Sequence, residues 1–400
     1  MSIVAFSKAQ TADRVWHTYA VVFGALCVMV GVYWDISWHM TIGRDTFWTP
    51  AHLMIQGGGL LAGLTSGFVV LKSTFLPSDR DIETGVRVWG FRGPLGAWLC
   101  IWGCFAMLAS APFDNWWHNA YGLDVKIVSP PHTVLAWGIY AIANGALMLT
   151  LAQQNRNEGR KQRRFAWLYL VAGGLFIMNF GIFLTEYSLR FLQHGAEFYR
   201  MSAAFYPFGL VAIAASSKKK WAATIAAGVY MGIMLLMMWG LQPFHAEPKL
   251  GPIYQPITHM VTLAWPLWLI VPAAGIDLLR QHWRWRVPQL PERWQEWQVW
   301  LPRLELPAEA LAMGVVFSAL FVAIQWPWSA FMVLSRFSRN WFFNADNFVY
   351  WASPAYVERA HHFAPSDSPF GQTVLIVVVL ASLSSLVGLA WGRWMIQVRR

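Results

Sequence analysis

The chain has 400 residues, of which 56% are hydrophobic and only 12% are charged, and it contains 26 Trp and 26 Phe. A soluble globular chain of this length carries many more charged residues, so the composition excludes a soluble enzyme or binding domain. The net charge of +10 does not indicate nucleic acid binding, because the basic residues lie in short connections beside apolar runs.

Apolar runs of about 20 residues, the length that crosses a bilayer as an α-helix, recur along the whole chain. They predict an all-α fold, a polytopic transmembrane helical bundle of about ten spans. The polar N-terminal stretch lacks the layout of a signal peptide, so the first apolar run is predicted to be retained as a span. The predicted spans are residues 16–36, 50–72, 94–113, 132–153, 165–187, 200–216, 219–242, 255–280, 308–334 and 371–395.

Basic residues are unevenly divided between the two sides that these spans define. Of the 30 Lys and Arg residues, 22 fall on the side of the N-terminus, whereas the 20 acidic residues divide evenly. The positive-inside rule therefore predicts that both termini are cytoplasmic. Nine of the 11 His residues fall on the outer side, so we expect any chemistry near the outer interface.

The first predicted helical hairpin carries the sequence WDISWHMTIGRDTFWTPAH, which includes Asp35, His39 and His52. Asp and His at positions i and i+4 share one helix face, and the returning helix brings the second imidazole to the same end of the hairpin. Two imidazoles and a carboxylate suit a three-ligand metal site with room for water or substrate. The structural alternative is a helix cap or a hydrogen-bonded Asp–His pair.

The pattern recurs in the second hairpin as DNWWHNAYGLDVKIVSPPH, with Asp114, His118 and His132. The offsets from the Asp are +4 and +18, against +4 and +17 in the first copy. This repetition favours metal binding over a structural role. Asn115 is an alternative oxygen ligand, since it lies one residue closer to His118.

Other residues near the two triads are expected to support them. Asp45, in the first loop, either pairs with Arg44 or holds a ligand imidazole in one tautomer. Aromatic side chains are expected to shape a dry pocket beside the triads. These are Trp34, Trp38, Phe47, Trp48, Trp116 and Trp117.

The first half resembles the C subunit of the copper membrane monooxygenases, the particulate methane and ammonia monooxygenases, in the segment WHMTIGRDTFWTPAH with the upstream Asp. The resemblance implies two copper sites, of which the second is the catalytic, oxygen-activating one. The implied ligands are Asp35, His39 and His52 in the first site and Asp114, His118 and His132 in the second. The family has Asn at the position of Asp114, so the second site of this chain would be anionic.

The second half resembles the A subunit of the same enzymes, over residues 165–400 and most clearly in SPAYVERAHHFAPSDSPFG and GLAWGRWM. The chain is therefore interpreted as a natural fusion. Residues 1–160 form the C-subunit-like membrane domain with the two triads, and residues 161–400 form the A-subunit-like domain. The junction is predicted in the basic inner loop QNRNEGRKQRR.

The resemblance implies a membrane subunit of a copper-dependent monooxygenase, which activates O2 to hydroxylate a small apolar substrate such as ammonia, methane or a short hydrocarbon. It also implies a bacterial inner membrane, a periplasmic cupredoxin-like B-type subunit, single-span accessory subunits and a homotrimer. The alternative is a noncatalytic copper-binding or copper-handling membrane protein. A bis-His haem cytochrome is disfavoured, because the His residues cluster at the outer edge.

Five outer His residues lie away from the triads, and four of them have a predicted role. His245 and His259 flank one predicted loop, and no acidic residue shares the triad spacing with them, so structural or partner-contact roles are favoured over metal binding. His361 and His362 lie in a long outer loop that is expected to dock a soluble subunit. The Arg- and Trp-rich inner segment 281–306 is predicted to lie at the membrane interface.

Overall fold

The computed structural model describes residues 15–122, 129–284, 301–360 and 368–399. Within these ranges, nine helices are long and apolar enough to cross a membrane, which confirms the predicted all-α polytopic bundle. The helices are α1 (Trp16–Thr41), α2 (Pro50–Phe75), α3 (Asp79–Thr84), α4 (Leu95–Tyr121), α5 (Pro130–Arg156), α6 (Gly159–Phe183), α7 (Ala196–Ser216), α8 (Ala222–Leu241), α9 (Ile270–His282), α10 (Glu305–Leu334), α11 (Pro354–Ala360) and α12 (Phe370–Met395). All of them except α3, α9 and α11 are candidate membrane spans.

A small antiparallel ribbon connects α3 to α4. It consists of β1 (Val86–Val88) and β2 (Phe91–Gly93). The two residues between the strands, Trp89 and Gly90, both have positive φ angles, of 49° and 86°. This is the backbone conformation of the two-residue turns that match the twist of a hairpin. Three short 3-10 helices complete the described elements: Arg190–Leu192, Leu301–Leu304 and Arg336–Ser338.

The eighth predicted span, residues 255–280, is not a continuous helix. Only α9, with 13 residues, is helical, and residues 255–269 before it are not. Pro256 and Pro266 explain the difference, because a proline disfavours the helical conformation of the residue before it. Several β-branched residues between them also favour extended backbone. The prediction of a helical span over 255–280 is therefore wrong for its first half.

This non-helical segment nevertheless contacts α8. Leu241 of α8 packs against the cluster that contains Met260, and Tyr230 of α8 lies beside Leu267. Non-helical backbone at membrane depth requires polar partners within the protein. Such partners are present: the N–H of Val261 donates to Oγ1 of Thr41, the N–H of Leu267 to the Tyr230 hydroxyl, and the N–H of Trp268 to Oε1 of Gln325.

The N-terminus of α8 is capped by a carboxylate from α9. Asp277 is 1% exposed and accepts hydrogen bonds from the N–H of Ala223 and from the N–H and hydroxyl of Thr224, at 3.2, 2.8 and 2.7 Å. The first amides of a helix have no partner within the helix. A negative charge at this end is also favoured by the helix dipole. Asp277 therefore joins α8 and α9 at this end.

Replacing Asp277 by alanine is expected to destabilise the protein by about 1–3 kcal/mol, because buried amide donors lose a charged acceptor. Asp277→Asn keeps one acceptor and should cost less. Reversible unfolding in a mixed detergent measures both variants against the wild type. Equal stability of Asp277→Ala and the wild type would show that the cap contributes nothing.

The described residues form two compact units. One contains residues 15–25 and 58–149, and the other contains residues 26–57 and 150–399. The boundaries between units cross α1, α2 and α5. The domain boundary at residue 160 comes from the resemblance and concerns the origin of the two halves rather than their packing, so it stays a prediction.

Within the unit that contains residues 58–149, α4 and α5 approach closely through glycines. A Cβ placed on Gly103 would lie 2.8 Å from the carbonyl oxygen of Gly138, and one on Gly96 would lie 2.5 Å from that of Gly145. Lipid supplies no hydrophobic force that would drive helices together, so helices in membranes associate through close packing. Small residues allow the two backbones to approach closely enough for this packing. These glycines set the spacing of the hairpin that carries the second triad.

Candidate metal centres

Three side chains of the first triad come from two helices that meet at one end. Asp35 and His39 lie near the end of α1, four residues apart on the same helix face, and His52 lies in the first turn of α2. Nε2 of His52 is 3.2 Å from Oδ1 of Asp35. Nε2 of His39 is 3.8 Å from Oδ2 of the same carboxylate. The structure therefore brings together the three residues that the sequence spacing predicted.

A fourth side chain, Asp45, completes this cluster. Its Oδ2 lies 3.1 Å from Nε2 of His39 and 3.3 Å from Nε2 of His52. One ligand atom from each of the four residues lies within 4.8 Å of every other. Two imidazole nitrogens and two carboxylate oxygens can together surround a single metal ion. We call this cluster of Asp35, His39, Asp45 and His52 the first centre.

The loop between α1 and α2 is shaped to present Asp45 to the histidines. Gly43 has a φ of +79°, a conformation that favours glycine. The indole N–H of Trp38 donates to the carbonyl of Arg44 at 3.1 Å, which holds the following residue against α1. The sequence interpretation gave Asp45 only a supporting role, because loop geometry of this kind cannot be read from residue spacing.

Both triads use the same local arrangement to place their last histidine. The segments Thr49-Pro50-Ala51-His52 and Ser129-Pro130-Pro131-His132 each begin with a hydroxyl residue followed by Pro, which is favoured in the first turn of a helix. Carbonyls of the hydroxyl residues accept the first helical hydrogen bonds, from Leu53 and Thr133 at 3.0 and 2.8 Å. The histidine is thereby fixed in the first turn of the returning helix.

One ring nitrogen of His52 is already engaged by the backbone. Nδ1 lies 2.9 Å from the carbonyl oxygen of Thr46, so the proton of a neutral ring belongs on Nδ1 and donates to Thr46. Nε2 then presents a lone pair to the carboxylates. Backbone contacts of this kind orient metal-binding imidazoles and fix their tautomer.

The first centre gathers acceptors that are stabilised by a proton or a metal ion between them. Oδ1 of Asp35 is buried and receives no well-directed hydrogen bond from the described residues, although Nε2 of His52 is close to it. Two lone pairs that face one another are unfavourable unless a second ring proton or a metal ion lies between them. Once both rings are neutral, two imidazoles and two carboxylates are a donor set that fits a divalent transition metal.

Asp45 is the ligand of this centre that lies outside the helices. Burial opposes ionisation of its carboxyl, but the hydrogen bond from His39 and the charges of His39 and His52 outweigh burial and hold the pKa of Asp45 below its usual range. A carboxyl whose pKa is lowered on folding stabilises the folded protein above its unfolded-state pKa. This stabilisation is lost as the pH falls through the lower, folded-state pKa. The carboxylate is therefore charged, and available to a cation, at neutral pH.

The second triad also converges, on a single carboxylate. Oδ2 of Asp114 lies 3.3 Å from Nε2 of His118, and Oδ1 lies 3.5 Å from Nε2 of His132. Nδ1 of His118 lies 3.2 Å from the carbonyl oxygen of Gly122, so Nε2 faces the carboxylate as in the first centre. Oδ1 of Asp114 is likewise buried without a well-directed hydrogen bond from the described residues. We call this triad the second centre.

The structure distinguishes the two candidate oxygen ligands of the second centre. Asp114 contacts both histidines, whereas the neighbouring Asn115 is exposed, which favours Asp114 as the oxygen ligand. The second centre has three converging residues within the described part of the chain rather than four. Asp124, which stands where Asp45 stands in the first loop, lies outside the described residues.

The glycine contacts of the α4–α5 hairpin give a stability prediction that concerns the second centre. Gly103→Ala puts a methyl group against backbone, and this overpacking is expected to cost about 1–3 kcal/mol. Gly67, in α2, has no atom within 4 Å of an added Cβ, so Gly67→Ala should be neutral or gain up to about 1 kcal/mol. Reversible unfolding of both variants in mixed detergent tests the contrast, and equal effects would contradict it.

The predicted aromatic pocket is not closed around the first centre. Phe47 and Trp48 pack edge to face, at 5.1 Å, but Trp48 is 73% exposed. Trp34 and Trp38 instead pack against Ile42 and its neighbours.

No family model, no curated protein and no solved structure matches this chain. His361, His362 and most of the Arg- and Trp-rich inner segment lie outside the described residues, so their predicted roles stay predictions.

Proposed function

We propose that this chain is a membrane subunit of a copper-dependent monooxygenase, in which the first and second centres bind the metal. The observation that carries the proposal is the convergence of imidazole Nε2 atoms and carboxylate oxygens in two separate helical hairpins. A single Asp–His contact is common in proteins without a metal. Two centres, each with an oriented ring and a buried carboxylate oxygen that receives no well-directed hydrogen bond from the described residues, are better explained by cation binding.

Copper is proposed because of the resemblance to the copper membrane monooxygenases. Imidazole and carboxylate ligands suit copper, but they also suit zinc and iron, so the ligand types alone do not select the metal. Bound copper would supply the activation of O2 for insertion of one oxygen atom into a small apolar substrate such as ammonia, methane or a short hydrocarbon. Asp114, His118 and His132 are proposed as the catalytic site, and the first centre as a second copper site.

The residues of the chain have defined tasks in this proposal. The backbone carbonyls of Thr46 and Gly122 hold one histidine of each centre with Nε2 toward the carboxylate. Asp35 and Asp114 each face two imidazoles and supply the negative charge that compensates a cation. Among the described residues a second carboxylate, that of Asp45, is present only in the first centre, so this centre is expected to hold a divalent ion more firmly than the second.

The distribution of charge supports an orientation for these centres. With the basic loops in the cytoplasm, the ends of α1 and α4 that carry the Asp and His residues face the periplasm of a bacterial inner membrane. A site at this depth is reached by O2 and apolar substrate from the bilayer. Electrons would come from the periplasmic side, through a cupredoxin-like B-type subunit, within a homotrimer that also contains single-span accessory subunits.

Isotope labelling tests the proposed reaction. Membranes that contain the native complex are incubated with ¹⁸O2 and, in turn, with ammonia, methane and a short alkane, and the products are analysed by mass spectrometry. One ¹⁸O atom in a hydroxylated product supports the monooxygenase. Copper in the purified protein without labelled product from any of these substrates supports the alternative, a noncatalytic copper-binding or copper-handling membrane protein.

A further inference from the structure

A second group of histidines lies on the loop that connects α8 to α9. His245 and His259 face one another across an isolated antiparallel bridge. The flanking hydrogen bonds run from the N–H of Ala246 to the carbonyl of Thr258, and from the N–H of Met260 to the carbonyl of Phe244. They make this a non-hydrogen-bonded pair, in which facing side chains approach most closely.

The two imidazoles and a carboxylate share the outward side of this bridge. The ring centroids of His245 and His259 are 6.0 Å apart, and Oε1 of Glu247 lies 3.6 Å from Nε2 of His245. His245 and Glu247 are two positions apart, which puts them on the same side of an extended strand. The sequence spacing did not indicate this carboxylate, because the pattern of the triads belongs to helices.

The inward side of the same bridge is anchored. Ala246 and Met260, each adjacent to one of the histidines, are buried and pack with Ile42, Trp34 and Trp38. The histidines are therefore carried on backbone that is held at fixed separation, rather than on a free loop. A preformed pair of imidazoles binds a metal with less loss of chain entropy than two mobile ones.

Two further contacts favour a cation at this position. Oγ1 of Thr258 lies 2.9 Å from Nδ1 of His259, which engages one ring nitrogen and leaves Nε2 for a ligand. His259 also lines an open cavity of about 560 Å³, whose wall includes Asp346. Asp346 thus adds negative charge to the cavity that His259 lines, and the cavity gives solvent access to the ring.

We propose that His245, His259 and Glu247 form a third, exposed metal site that takes a borderline divalent ion such as Cu²⁺ or Zn²⁺. Two imidazoles and one carboxylate are a ligand set that such ions prefer. Because the site is exposed and has three protein ligands, its affinity is lower than that of the first centre, and water completes the coordination. The proposal stands independently of the proposed enzymatic function.

The test is a Zn²⁺ titration of the full-length protein, purified in detergent and stripped with a chelator, against a fluorescent zinc indicator. Loss of a residue that only orients a ligand typically weakens metal binding about 10- to 100-fold, so His259→Ala and His245→Ala should each weaken the low-affinity class of site at least about tenfold. His282→Ala is the matched control, because His282 is also exposed and its ring contacts the carbonyl of Leu278 in its own helix.

We expect the low-affinity Zn²⁺ sites to bind more weakly in both His245→Ala and His259→Ala, and the titration curve of His282→Ala to match that of the wild type. Unchanged binding in both bridge variants, or an equal loss in His282→Ala, overturns the proposal. His245→Gln and Glu247→Gln, which preserve side-chain size, serve as second variants if an alanine variant fails to fold. The double variant His52→Ala, His132→Ala disables the two proposed centres, and it should keep the low-affinity class.

Discussion

Replacement of His118 or His132 by alanine is expected to lower turnover by more than about 100-fold, since even residues that only orient a metal ligand are worth about 10- to 100-fold. Each imidazole places Nε2 within 3.5 Å of Asp114, and removing either leaves two ligands. Copper content should fall with turnover while the protein keeps its fold, because both side chains are at the end of a hairpin rather than in the packed core. Product formation and metal content of the purified complex measure the effect.

The matched control for this prediction is the neighbouring amide. Asp114→Ala should behave like the histidine variants, whereas Asn115→Ala should keep both copper and turnover, because Asp114 is the residue that contacts both imidazoles. The opposite order would identify Asn115 as the oxygen ligand. Full activity of the histidine variants would show that the second centre is not catalytic.

The second large effect is expected at the first centre. His52→Ala removes the imidazole that contacts both Asp35 and Asp45, and it leaves His39 as the one imidazole of the first centre. Metal affinity at this centre should fall by more than about 100-fold. Asp45→Asn keeps an oxygen donor but removes a charge, so the loss should be smaller. Metal titration of the stripped protein gives both affinities.

Arg44→Ala is the control for the first centre. The sequence left open whether Arg44 pairs with Asp45, whereas the structure directs the Asp45 carboxylate to His39 and His52. Removing an exposed positive charge beside a cation site should leave affinity unchanged or raise it. If Arg44→Ala lost as much metal affinity as His52→Ala, the loss would come from a disturbed loop and not from the removal of a metal ligand.

The two triads were predictable because their geometry is local. An Asp and a His four residues apart on a helix share a face whatever the rest of the fold does, and a short loop with Pro at the next helix start returns the chain to the same end. The ligand role of Asp45 was not predictable in this way. It depends on the positive φ of Gly43 and on the Trp38–Arg44 hydrogen bond, neither of which has a periodic signal in the sequence.

The non-helical half of residues 255–280 was missed for a different reason. Hydropathy measures how apolar a segment is, but not whether its backbone is helical. Pro256 and Pro266 were the local signals against a helix. Non-helical backbone in a membrane needs hydrogen-bond partners within the protein, here the Thr41 and Tyr230 hydroxyls, and such tertiary partners cannot be predicted from hydropathy. The pairing of His245 with His259 was also missed, because a cross-strand pair is formed by residues 14 positions apart and has no periodic signal in the sequence.

The central claim is that the converging His and Asp residues bind copper. It is tested most directly by metal analysis and EPR of the complex purified from its native membrane, with the wild type compared with His118→Ala. The account predicts copper in the wild type, with nitrogen hyperfine structure from imidazole ligands, and a lower copper content in the variant. Zinc in place of copper, no metal at all, or the same copper content in both proteins would contradict it.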